Sequence, residues 1–124
     1  SAARSSPPMH MLVGDFNAGP EASRVNYQQI RNAGYVDCFS EMRGEREFTW
    51  ESTNPLNACG PYKNSPSQRI DHVFLPCSIV NRLPLKRAEI LLKEPNIEVG
   101  EGRHITISDH YALRMEFRIP GRRP

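Results

Sequence analysis

Residues 111–119 alternate an apolar side chain with a smaller or charged one at every step. Tyr111, Leu113, Met115, Phe117 and Ile119 stand against Ala112, Arg114, Glu116 and Arg118. Strict period two over nine residues is the geometry of a β-strand with one face buried and the other turned outward. This chain therefore has to build a sheet with an apolar face. Its 124 residues are enough for one ordinary domain with a modest core.

The other elements are weaker signals around that strand. Residues 9–13 (MHMLV) are a short apolar run stopping at Gly14, which suits a central strand buried on both faces. Pro20 is placed to open a helix over residues 21–33, with Ala22, Val25, Ile30 and Ala33 within one arc and Gly34 ending it. Asp37 can cap a second short helix reaching Met42 and closed by Gly44. Phe48, Thr49 and Trp50 form a strand candidate, residues 68–75 (QRIDHVFL) a strand stopped by Pro76, and residues 84–93 a further strand. Residues 52–67 carry three Pro, three Asn and one Gly, and read as a long loop. Residues 94–108 read as a second one. Residues 1–8 form a polar, Pro-rich tail or linker remnant with sequence lost upstream of it, and residues 120–124 form a second tail. Strand, helices, then several strands predict an α/β or α+β layer, with a mixed sheet covered by helices on at least one face.

Charge and cysteine content narrow the partners. Sixteen Lys and Arg against fourteen Asp and Glu leave a net charge of +2. That is compatible with a phosphate-bearing partner, yet far from the basic stripe of a dedicated DNA-binding module. No apolar run is long enough to span a bilayer, and no signal peptide is visible. Cys38, Cys59 and Cys77 are odd in number and lack the short spacing of a zinc or redox pair. They read as free thiols in a reducing compartment, cytoplasmic or at a membrane surface; one disulfide plus one thiol in an exported protein is the alternative.

Three places set a carboxylate or imidazole against apolar sequence, where charged groups do not sit without partners. Asp15 and Asn17 follow the first strand, at the end where open α/β sheets bind their ligands. Asp71 and His72 lie among Ile70, Val73 and Phe74, and Asp109 and His110 precede the terminal strand. If the strands are neighbours, these groups converge. Carboxylates, a histidine and an amide suit phosphodiester hydrolysis: a hard divalent cation takes oxygen ligands and neutralises phosphate charge. A carboxylate can orient or deprotonate water. A histidine whose tautomer is fixed can serve the phosphoryl oxygens, and an amide can donate to developing negative charge. Each group also has a plainer reading. Asp15 with Asn17, and Ser108 with Asp109, are ordinary turn composition. His10, His72 and His104 are ordinary strand or loop residues. Trp50 is readable as packing.

Four landmarks in order carry more than any one of them. Gly14-Asp15-Phe16-Asn17, Phe48-Thr49-Trp50, Arg69-Ile70-Asp71-His72-Val73 and Ser108-Asp109-His110-Tyr111-Ala112-Leu113 resemble the C-terminal half of the endonuclease/exonuclease/phosphatase superfamily, over residues 9–119. The resemblance implies the C-terminal half of a four-layer α/β sandwich, with a mixed, mainly antiparallel sheet. It implies that Asp15 orients or activates the attacking water, that Asn17 binds the phosphoryl group and positions Asp15, and that Asp71 pairs with His110. His110 then contacts the scissile phosphate, Asp109 sits at or near the metal, and the substrate-binding set is Asn17, Trp50 and His110. The family often has Tyr or another bulky residue beside this Asp; His72 is a variation there and not a ligand. The implied cofactor is Mg²⁺, with Mn²⁺ as a substitute.

The family's principal metal-binding Glu and further phosphate contacts lie in an N-terminal half that these residues do not include. The resemblance therefore implies a partner piece, in the same polypeptide or a second chain, and an inactive chain without it. It also implies that Tyr111, Leu113 and Met115 are left exposed. The texture of TWESTNPLN and QRIDHVFLP is closest to the neutral sphingomyelinase-like phosphodiesterases, which release phosphocholine from sphingomyelin. A DNA or RNA nuclease of the same fold and a non-catalytic interaction module are the alternatives.

Overall fold

The computed structural model describes residues 8–43 and 46–121. The tails expected over residues 1–7 and 122–124, and Gly44 as helix stop, lie outside them. Helices and antiparallel sheets make up the architecture. The first sheet has the order β1-β3-β2, from β1 (Leu12–Asp15), β2 (Tyr35–Asp37) and β3 (Asp71–Pro76). The second pairs β4 (Leu85–Leu91) with β7 (Ala112–Phe117), and β5 (Ile97–Gly100) and β6 (Arg103–Ile105) form a separate hairpin. All four ladders are antiparallel, so the mixed sheet read from the sequence is corrected for the described residues.

Alternation along β3 places two cores on its two faces. Phe74 points to one side, where Ala18 and Tyr27 meet it with Leu12, Phe16, Ile30 and Tyr35 around them. Tyr27 and Ile30 come from α1 (Arg24–Asn32), which covers this face. Val73 and Leu75 point to the other side. There they join Cys38 of α2 (Cys38–Arg43) and Ile79 of α3 (Cys77–Val80), with Leu113, Met115 and Phe117 of β7 packed against them. The layers run helix, three-stranded sheet, two-stranded ribbon. Tyr111, Leu113 and Met115 are therefore not an exposed face: Tyr111 is buried and the other two are half-buried against β3.

The open apolar surface lies on β1 instead. The sequence predicts a central strand over residues 9–13, yet β1 is an edge strand among the described residues, where β3 alone pairs with it. Val13 is 63% exposed while its cross-strand partner Val73 is 7% exposed. The second sheet covers β3 and stops short of β1.

Helix α1 also differs from expectation. It starts at Arg24, and its inward residues are Tyr27 and Ile30; Val25 points to solvent. Pro20 and Glu21 belong to the bend before it, where Gly19 passes over β3. Gly34 does follow the helix with φ 98°, and the Asp37 carboxylate accepts the Ser40 N–H at 3.3 Å to cap α2. Residues 48–50 form only a single bridge, Trp50 to Gln68. Within residues 94–108, read as loop, the β5–β6 hairpin turns through Glu101 and Gly102, both at positive φ, as a two-residue hairpin turn requires. No helix is long and apolar enough to cross a membrane among the described residues.

Gly19 is where backbone meets backbone. A Cβ there would stand 1.9 Å from the Arg69 carbonyl oxygen. Gly19→Ala must push the segment after Asn17 away from the strand carrying Asp71. We expect a loss of about 1–3 kcal/mol from such overpacking, read by urea unfolding.

Candidate functional site

Strand register builds the centre of the site. Asp15 and Asp71 are direct cross-strand partners, in line with Val13–Val73, so both carboxylates stand on the face turned to the second sheet. Like charges in that arrangement repel. The compensating group is His110, in the turn ahead of β7. Its Nδ1 donates to Asp71 Oδ2 at 2.8 Å, and its Nε2 lies 3.8 Å from Asp15 Oδ2. Ligand atoms of Asp15, Asp71 and His110 all fall within 4.8 Å of one another. Partial burial disfavours the imidazolium, but the hydrogen bond to Asp71 and the charges of Asp71, Asp15 and Asp109 outweigh it. His110 is held above its ordinary 6.5.

Asn17 forms a tight turn onto this pair. It sits at φ 50°, a region Asn tolerates better than most residues, and its N–H donates to Asp15 Oδ1 at 2.8 Å. The turn composition and the site are thus the same residues. A cleft of about 450 Å³ opens beside them, lined by Asn17, Trp50, Tyr62, Gln68, Asp109 and His110 among others. Every site residue expected from the sequence is at the trio or on this cleft. Trp50 is largely buried and also lines the cleft. Asp109 is exposed, stands outside the trio and accepts the Ser108 hydroxyl at 3.4 Å.

The donor set fits a hard cation in part. Asp15, Asp71 and Asp109 offer the carboxylate oxygens Mg²⁺ prefers. Asp71, however, is already engaged by His110, and a near-octahedral shell needs more than the remaining oxygens supply.

His72, beside Asp71, faces the other way. It is buried among Phe16, Tyr27 and Phe74. Its Nε2 lies 2.6 Å from the Ala18 carbonyl, and its Nδ1 faces Arg69 Nη1 at 3.2 Å. Arginine can only donate, so Nδ1 accepts and Nε2 carries the proton: a neutral imidazole. Burial, the largest cause, holds His72 below 6.5. The unfolded chain therefore takes up this proton at a pH where the folded chain does not. His72 costs nothing above pH 6.5, and stability falls as pH drops from there toward its folded value. His110 acts oppositely, stabilising at low pH and losing that contribution as pH rises through its raised value. Urea midpoints of His110→Ala are expected to drop between pH 7.5 and pH 5, and to drop less when His72→Gln is added.

Several residues of the site were not singled out in the sequence. Tyr62, Ser65 and Gln68 line the cleft. Asn54 and Asn57, both buried, reach from the turn-rich segment to the carbonyls of Ser108 and Asp109. Within the long loop of residues 52–67, part of the segment is a brace behind the site. Two buried Asn in a TNPLN turn were the available signal, since a buried amide has to find partners.

No protein-family model, curated protein or solved structure matches the chain.

Proposed function

We propose that the chain is the C-terminal half of a metal-dependent phosphodiesterase of the endonuclease/exonuclease/phosphatase type, a four-layer sandwich when complete. The trio of Asp15, Asp71 and His110 at the mouth of a cleft carries the reading. Asp15, exposed and held by Asn17 N–H, orients and deprotonates the attacking water. Asp71 fixes His110 with Nδ1 as donor, which turns Nε2 toward Asp15 and the reacting phosphoryl group. Against partial burial, the hydrogen bond to Asp71 and the charges of Asp71, Asp15 and Asp109 shift His110 toward the imidazolium form, which can meet charge developing on phosphoryl oxygens. The Asn17 amide donates to the same oxygens. Asp109, together with a Glu of the N-terminal half, would hold Mg²⁺, which would supply charge neutralisation at the phosphate.

The partner half is supported by the open edge of β1 and by Val13, exposed beside a buried strand. The preferred substrate is a sphingomyelin-type phospholipid, with phosphocholine as product, on the sequence texture of residues 49–73. The test starts with the native mass of the protein purified from its source. A species carrying a second segment with the metal-binding Glu is expected. That species should release phosphocholine from sphingomyelin vesicles with Mg²⁺, and stop when the metal is chelated. Cleavage of DNA or RNA instead, with steep salt dependence, replaces the lipid assignment. No hydrolysis of either by such a complex overturns the enzyme reading.

A further inference from the structure

Asp71 and His110 belong to different sheets. Asp71 opens β3 of the first sheet, His110 precedes β7 of the second, and no ladder joins those strands. Something other than strand pairing has to set their separation, and the 2.8 Å bond between them tolerates little error.

We infer that Thr49 is a positioning residue that locks the Asp71 backbone to the His110 backbone. Thr49 is wholly buried. Its Oγ1 accepts the N–H of Ile70 at 3.1 Å and of Asp71 at 3.2 Å. Its carbonyl accepts the N–H of Tyr111, the residue after His110, at 2.6 Å. Its own N–H donates to Gln68 O at 3.0 Å. One residue thus grips the chain at Asp71 and directly beyond His110. The same segment grips the other flank: Asn54 Nδ2 donates to Ser108 O at 3.0 Å, and Asn57 Nδ2 to Asp109 O at 2.9 Å. Residues 108, 109 and 111 are all tied to residues 49–57, and His110 is held between them, its own N–H donating to Ser108 Oγ at 3.1 Å. The side-chain oxygen is the requirement at position 49. Serine keeps it; valine keeps the shape and loses it.

The functional meaning rests on the phosphodiesterase reading, so the test reads the pair without turnover. In NMR spectra of the isotope-labelled full chain, a proton held between His110 Nδ1 and Asp71 gives a downfield, slowly exchanging signal. Wild type and Thr49→Ser are expected to retain it, and Thr49→Val to lose it to exchange with water. Ile79→Ala, which opens the core away from the site, is expected to weaken the fold and keep the signal. Asn57→Ala, with Thr49 intact, loosens the other flank and is expected to speed the exchange; it serves if Thr49→Val does not fold. Retention in folded Thr49→Val, retention in Asn57→Ala, or equal loss in Ile79→Ala overturns the inference. A failed phosphodiesterase reading gives a different result: the signal behaves as expected and no hydrolysis follows.

Discussion

Asp37→Ala is expected to lower the unfolding free energy by about 3–5 kcal/mol, the largest stability effect in this protein. Asp37 is 3% exposed and Arg69 also 3%. Arg69 Nη1 lies 2.8 Å from Asp37 Oδ2 and 3.0 Å from Oδ1. Tyr27 donates its hydroxyl to Oδ2 at 2.5 Å; its own ionisation is pushed up to about 12, first by burial and then by this bond and the Asp37 charge. Alanine leaves the Arg69 guanidinium over the Phe39 ring, beside neutral His72, with no counter-ion. It also removes the α2 cap. A typical domain has only about 5–15 kcal/mol in total. Removing both charges is a different matter, since a buried pair repays little more than its own desolvation. Asp37→Leu combined with Arg69→Met is therefore expected to cost clearly less than the sum of the two single changes. Urea unfolding of the four proteins measures this, and simple additivity would show that the pair is not coupled.

The second large effect is on turnover. If the chain works as the phosphodiesterase proposed above, His110→Ala is expected to lower kcat by about 10²–10⁴-fold, the range for losing a positioned proton-handling group. Asp71→Asn keeps the shape but removes the charge that fixes Nδ1 as donor, and is expected to fall in the same range. The two act as one unit, so the double variant is expected to be little worse than either alone. Multiplying losses would mean that Asp71 acts on substrate independently of His110. In Asp71→Asn the His110 titration should also move down, because the bond and charge of Asp71 are the leading causes that raise it.

These two groups show how differently sequence and structure contribute. The terminal strand, the α2 cap at Asp37 and the stop at Gly34 were legible because each is a short-range pattern: a period of two, a capping side chain, a residue free to take positive φ. The site residues were legible for the same reason, as polar groups against apolar runs. The reading failed where distant chain decides. Residues 9–13 look like a buried strand, yet only one neighbour pairs with it. Tyr111, Leu113 and Met115 look uncovered, yet Val73, Leu75 and Cys38 lie against that sheet. Asp37 looks like a cap alone; its ion pair with Arg69, thirty-two residues away, leaves no local trace.

By itself, the sequence determined that this chain makes a strand with one apolar face, and that Asp15, Asn17, Asp71, Asp109 and His110 lie within or beside strands. Local backbone geometry and side-chain periodicity suffice for that. Only the tertiary structure decided that Asp15 and Asp71 share a rung, that His110 reaches them from another sheet, and that Thr49 joins the two sides. Register and burial are set by which surfaces exclude water together, and that is a property of the packed chain.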